Sequence, residues 1–182
     1  MTGEPLVRIR ELAASDVDRI EADEPAGKGF VREMWRLQVL GRSMLLVAWV
    51  GDVPVGSGQL DLGAAPIELK NLNVRPDRRG QGVGTALVVA AEAWMCAHGH
   101  TRLSLGVAVD NPAARRLYER LGYVATGEMS TVTYDYVDAE GLARTATETD
   151  ERLVKVWNAT VADAPARETT YLSGDGRSRE RA

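Results

Sequence analysis

Residues 74–88 read VRPDRRGQGVGTALV, and the rest of the chain is organised around this stretch. Gly80, Gly82 and Gly84 stand at alternate positions, with Arg78 and Arg79 before them and an apolar, helix-like run after them. Glycine weakens a helix by roughly 1 kcal/mol relative to alanine, so three at a helix start need a reason. A helix N-terminus has unpaired N–H groups and about half a positive charge. Glycine there allows positive φ and close approach of an anion. A glycine-rich turn from strand to helix therefore suits phosphate. Taken alone, the pattern equally suits a tight, closely packed turn. The spacing is not that of the dinucleotide fingerprint G-x-G-x-x-G, and no Lys-Ser/Thr pair follows to make a P-loop.

Outward from this turn, IELKNLNV (67–74) reads as a strand whose alternation slips. Ile67 and Leu69 are apolar at odd positions, Leu72 and Val74 at even ones. A one-residue slip predicts a β-bulge near Lys70-Asn71. Gly82 to His98 is a helix ended by Gly99. RLSLGVAV (102–109) is a strand with Leu103, Leu105, Val107 and Val109 on one face. NPAARRLYERLG (111–122) is a helix with Asn111 as N-cap, proline in its first turn and glycine past its end. Upstream, LVRIREL (6–12) is a strand, and Ser15 or Asp16 can cap the helix after it. FVREMWRLQVL (30–40) is amphipathic and helical. MLLVAWV (44–50) and VPVGSGQLDL (53–62) form a hairpin about Gly51-Asp52. Downstream, YVATGEMSTVTYDYV (123–137) holds one or two strands, and ERLVKVWN (151–158) is a last strand.

This order gives an α/β (α+β) class: a mixed, mostly antiparallel central sheet with flanking helices. The strand–helix–strand run after residue 67 requires a parallel portion. The 182 residues suffice for one domain, placed at 1–158. Residues 159–182, poor in large apolar side chains, read as a flexible tail.

Composition removes several function classes. Net charge is −4, which speaks against nucleic acid. No run of about eighteen apolar residues predicts a membrane span, and no signal-peptide pattern opens the chain. The single cysteine, Cys96, excludes an internal disulfide, and with two histidines it makes a zinc site unexpected. A cytoplasmic protein is the expectation. Cys96, between Met95 and Ala97 in a helix, reads as packing and not as an acyl-carrying nucleophile.

Arg79-x-x-Gly82-x-Gly84 after LNVRPDRRG resembles the pyrophosphate loop of the GNAT superfamily, the acetyl-CoA-dependent N-acetyltransferases. DNPAARRLYERLGYVATG (110–127) is similar to that family's second block, Asn-x-x-Ala-x-x-Leu-Tyr-x-x-x-Gly-Phe/Tyr. The two blocks stand in the family's order, and the resemblance covers about residues 6–137.

It implies acetyl-CoA as cosubstrate. Arg79, Gly80, Gln81, Gly82, Val83, Gly84 and Thr85 would hold the pyrophosphate. The backbone of Leu72, Asn73 and Val74 would pair with the pantetheine arm, in a slot opened where the bulged strand splays from its neighbour. Asn111 would add a cofactor contact to its capping role. Tyr118 would protonate the leaving thiolate; alone, its place in the stripe Ala114-Leu117-Tyr118-Leu121 also suits a core tyrosine. Glu68 aligns with the catalytic glutamate of some histone acetyltransferases in the family. It is otherwise a solvated strand-face carboxylate, with ordered water as the base.

A small-molecule primary amine is the expected acceptor. The acidic loop Glu21-Ala22-Asp23-Glu24-Pro25, with Asp135 and Asp138, would draw a cationic amine, or is simply solvated. Trp35 and Trp49 line a pocket or belong to the core. A protein N-terminus or lysine as acceptor, and a CoA-binding sensor, are the alternatives. The family's use of its last strands in dimers implies a homodimer.

Overall fold

The computed structural model describes residues 6–24, 29–137, 142–157 and 169–171. The chain runs β1 (Val7–Glu11), α1 (Val17–Glu21), α2 (Phe30–Val39), β2 (Ser43–Val50), β3 (Val53–Asp61) and β4 (Glu68–Val74). There follow α3 (Val83–Ala97), β5 (Arg102–Ala108), α4 (Pro112–Arg120), β6 (Val124–Val137), β7 (Ala143–Val156) and β8 (Thr169–Tyr171). The strands form one eight-stranded sheet in the order β6-β7-β5-β4-β3-β2-β1-β8. Every neighbouring pair is antiparallel except β4 and β5. The mixed sheet with one parallel pair is therefore as expected.

Two clusters of apolar side chains hold the layers together. On one face Leu46, Leu69, Leu103, Leu105, Val107 and Leu153 pack against Leu87, Ala91 and Met95 of α3 and Tyr118 of α4. On the other, Leu45, Val47 and Trp49 of β2 pack against Val17 of α1 and Val31 and Met34 of α2. The strict alternation Leu45/Leu46/Val47/Ala48 on β2 thus serves both faces. Helices α1 and α2 pack on β2, at one end of their face. That leaves the β4–β5–β7 part of that face as the natural entry side.

Several expectations are corrected in detail. Asp16 is N-cap of α1 by position, yet it makes no capping hydrogen bond. Its carboxylate turns back to accept from the Ala13 N–H at 2.9 Å and from Arg10 Nη2 at 2.8 Å. The Arg10 guanidinium holds the Asp16 carboxyl below its usual range, against the opposing effect of burial. Val109 falls beyond β5 and is exposed. The last long strand starts at Ala143 and not at 151, because the polar run ARTATETD pairs with β6. Its threonine pairs Thr131–Thr149 and Thr133–Thr147 join hydroxyls across the ladder. β6 carries a bulge between Ala125 and Met129 with Gly127 at φ 79°. Cys96 is exposed on α3, not packed. Thr169–Tyr171 pairs with β1, whereas 158–168 and 172–182 lie outside the described residues.

Candidate active site

The slip in IELKNLNV is a bulge. Between Ser57 and Gln59 on β3, β4 advances three residues, from Asn73 to Lys70. Asn71 supplies the turn, with φ 52°, and among non-glycine residues asparagine tolerates that region best. Its Nδ2 donates to Gln59 Oε1 at 2.7 Å, and Gln59 is buried. The partner strand is shaped to receive the bulge. A Cβ on Gly56 would lie 2.7 Å from the Asn73 carbonyl oxygen, and one on Gly58 would lie 3.1 Å from Leu72 Cδ1. Sequence reasoning passed over these two glycines, although glycine inside a strand is a signal for close backbone approach.

The bulge has a consequence on its other side. β4 and β5 pair only at Glu68–Ser104 and Leu69–Leu105. Above Leu69 the two strands part, while β5 stays paired with β7 as far as Ala108–Asp150. The free edge of β4 from the bulge to Val74 therefore faces an open slot. Leu72, Asn73 and Val74, expected to pair with an extended ligand, lie on it.

The glycine turn closes the upper end of the slot. Gly80 (φ 73°) and Gly82 (φ 80°) are both left-handed, and Gly82 is the N-cap of α3. Gly84 is different: it is helical, and a Cβ there would make ordinary contact with Leu117 at 3.6 Å. From Gly80 to Thr85 the backbone N–H groups make no close hydrogen bond to an acceptor among the described residues, and the first helical bond is Ala86 N–H to Gly82 O at 2.9 Å. This is a concave row of donors at a helix N-terminus, which fits a pyrophosphate. Around it, Gln81 Nε2 donates to Asp77 O and Arg79 Nε to Val74 O, so both side chains brace the loop. Arg78 Nε is buried without a hydrogen-bond partner.

From α4, Asn111 Oδ1 accepts from the Ala114 N–H at 3.1 Å, the predicted cap. Its amide N–H₂ stays available to a ligand. Tyr118 is 7% exposed and packs edge-on against Tyr123, with ring centroids 6.2 Å apart. Its hydroxyl has no hydrogen-bond partner among the described residues. Burial, then the charge of Asp150, raise its pKa. Glu68 lies beside Ser104 in the last paired part of β4, on the face away from Leu69. Cys96 is fourteen residues along α3 from the cradle, about 20 Å away, and takes no part.

Two acids of the α1–α2 loop, Glu21 and Glu24, do structural work. Glu21 pairs with Arg32, and Glu24 accepts from the N–H groups of Phe30 and Val31 at 2.9 Å, capping α2. Pro25 and Asp138 lie outside the described residues. Asp135 accepts from Thr145 on the outer hairpin. Trp49 is core, with the Arg10 guanidinium 4.6 Å from its ring; Trp35 borders a shallow groove on α2. Sequence reasoning missed two acids of β7 near the upper end of β5, Asp150 opposite Ala108 and Glu148 two residues before it.

A splayed parallel strand pair, a bulge beside it and a row of unpaired N–H donors at its head form a slot that fits an extended, pyrophosphate-bearing acyl carrier. The chain belongs to the acetyltransferase (GNAT) family, whose family model matches residues 8–123. That family takes its acetyl group from acetyl-CoA. The chain is 33% identical over 89 residues to probable N-acetyltransferase family 8 member 5 of Mus musculus, covering 49% of this chain and 38% of that protein. It thus spans well under half the length of that relative.

Among the solved structures that share its fold are three acetyltransferases. One is the PaiA N-acetyltransferase of Thermoplasma acidophilum in complex with coenzyme A, with TM-score 0.58, 18% identity, and 83% of this chain and 99% of that one covered. Another is the spermidine/spermine N-acetyltransferase SpeG of Vibrio cholerae, with TM-score 0.59, 17% identity, and 83% and 92% covered. The third is a Salmonella typhimurium acetyl transferase that modifies the N-terminal serine of ribosomal protein L7/L12, with TM-score 0.63, 13% identity, and 84% and 96% covered. At these identities the likeness concerns fold alone. No helix among the described residues is long and apolar enough to cross a membrane.

Proposed function

We propose that this chain transfers the acetyl group of acetyl-CoA to a primary amine of a small, cationic molecule by direct attack. The observation that carries this reading is the run of N–H groups from Gly80 to Thr85, free among the described residues, at the head of the β4–β5 slot, with Tyr118 on the neighbouring α4 supporting it. Acetyl-CoA supplies an activated thioester. The cradle fixes the pyrophosphate, and the free edge of β4 from Leu72 to Val74 aligns the arm. Asn111 offers its amide donors. An N–H of that edge polarises the carbonyl oxygen. Tyr118 donates its proton to the departing sulfur; burial and the Asp150 charge raise its pKa and so keep the phenol protonated until charge builds on the sulfur. An ammonium must lose a proton before it attacks, so a carboxylate or an ordered water on the entry face has to serve as base.

The supporting feature for a cationic acceptor is anionic charge on the entry face, where Glu68, Glu148 and Asp150 lie. The test is acetyl-CoA-dependent release of free thiol over a panel of polyamines, aminoglycosides, amino acids and short peptides. Turnover of a small amine supports the reading. Turnover of peptides alone replaces the acceptor by a protein. Binding of acetyl-CoA by calorimetry with no turnover at all leaves a CoA sensor.

A further inference from the structure

We infer that Asp150, and not Glu68, is the carboxylate that takes the proton from the attacking ammonium. This rests on the proposed acetyl transfer and names its base. The register places the two acids at different heights. Leu69 lies opposite Leu105 in the parallel pair, so counting upward sets the bulge at Asn71 level with Val107. Asp150 pairs with Ala108 and its carboxylate lies over Gly106. It is therefore level with the bulge and the mouth of the slot. Glu68, beside Ser104, is two to four residues lower, roughly 7–13 Å along the strand.

The sides agree as well. Odd-numbered β7 residues face the helices α3 and α4: Leu153 is in their core, Glu151 pairs with Arg115 of α4, and Lys155 with Glu92 of α3. Asp150 thus projects to the opposite face, from which an acceptor enters, while Tyr118 comes from α4. The two are near enough for the Asp150 charge to raise the Tyr118 pKa. Gly106 makes room for the acid, since a Cβ there would lie 3.3 Å from Asp150 Oδ2. Asp150 has no hydrogen-bond or ion-pair partner among the described residues. Its pKa is raised by burial first, then by Glu148 and by Asp110 at the head of α4, which makes it a stronger base than an ordinary aspartate. The other charges near it are Arg152 on its own strand, 3.5 Å from Glu128, and the Tyr118 phenol; its β6 neighbour is Ser130.

The protons balance. Asp150 takes one from the ammonium and passes it to solvent. The nitrogen lone pair then forms the C–N bond, the C–S bond breaks, and Tyr118 gives its proton to sulfur. The second proton on nitrogen, lost as the amide forms, restores Tyr118. The net products are the N-acetyl amine, free thiol and one proton.

The experiment compares Asp150→Asn and Glu68→Gln in the full chain, with acetyl-CoA and the best amine of the panel, across pH. Asp150→Asn is expected to lower kcat/KM for the amine ~100-fold, leave the KM for acetyl-CoA unchanged, and abolish the acidic limb of the pH profile. Glu68→Gln is expected to stay within about threefold of the parent. Gly106→Ala, which displaces the carboxylate but keeps its charge, falls in between. Retention of rate and acidic limb in Asp150→Asn, or transfer of both losses to Glu68→Gln, overturns the assignment. A second readout needs no turnover: the ¹³C carboxyl shift of Asp150 titrates above the ordinary aspartate value of about 3.9. A midpoint at or below that ordinary value overturns the assignment even in an enzyme silent toward every amine, whereas that silence alone sinks only the acceptor reading.

Discussion

Asn71 is where backbone conformation, sheet register and the ligand slot meet, so its replacement tests the whole chain of reasoning. In Asn71→Ala the residue at φ 52° loses the tolerance of asparagine for the left-handed region, at about 1 kcal/mol. It also loses the 2.7 Å hydrogen bond to Gln59 Oε1. Asn71 is exposed, so water can replace part of that bond, and its loss costs about 1 kcal/mol more. The sum is about 2 kcal/mol, or on the order of 6 °C in Tm for a chain of this size. Asn71→Gly removes the bond but keeps the backbone relaxed, so it recovers roughly half of the loss. Urea unfolding and thermal melts of the three proteins give the stabilities, and calorimetry with CoA gives the affinities. The alanine variant should also bind CoA more weakly than the glycine variant, because strain at the bulge is relieved by closing the slot. Equal stability of the alanine and glycine variants, or an alanine variant with parental stability and CoA affinity, refutes the argument that Asn71 sets the splay.

Three further outcomes follow from the same geometry. Tyr118→Phe keeps the packing against Tyr123 and removes the acid, so kcat falls ~10- to 1000-fold with acetyl-CoA affinity unchanged; steady-state kinetics that leave kcat intact remove Tyr118 from the mechanism. Gly82→Asp puts a charged side chain at φ 80° beside the cradle and weakens CoA binding at least ~10-fold. In contrast, Gly84→Ala, with only ordinary contact at Leu117, leaves the ligand-free fold at least as stable as the parent; calorimetry and melts separate the two. Asp16→Asn, which breaks the buried end of the Arg10 pair, costs about 2–3 kcal/mol at neutral pH. The folded-state pKa of Asp16 lies below the ordinary aspartate value of about 3.9, so this stability is present above that value and is lost as pH falls through the lower, folded one. The stability gap between parent and variant should therefore close in acid, as urea titrations from pH 7 to pH 2 measure.

Much of this site is legible in the residues because its devices are local. Glycines demand special φ, an asparagine before a proline caps a helix, and a slipped alternation marks a bulge; each is set by neighbours within a few positions. The turn at Gly80–Gly84, the cap at Asn111 and the bulge beside Lys70-Asn71 were accordingly placed within a residue. What was misread depends on distant partners. The acids of the α1–α2 loop looked available for a cationic ligand, but Glu24 caps α2 and Glu21 pairs with Arg32, contacts that exist only once the two helices pack. ARTATETD is polar on both faces, so the pattern starts the last strand only at residue 151. It is a strand because β6 lies beside it and supplies the backbone hydrogen bonds that its side chains do not advertise.

By itself, then, the order of residues determined most of the strand and helix succession as far as β6, the glycine turn at the head of α3 and the acetyl-CoA family. These follow from φ preferences, capping and periodicity, which act over a turn or two of chain. Only the tertiary structure decided which acids face the slot. Sheet register alone sets Asp150 of β7 against Ala108 of β5, level with a bulge nearly eighty residues earlier. Pairing between strands far apart in the chain, with α4 packed on the sheet, brings that carboxylate near enough to Tyr118 for its charge to raise the phenol's pKa.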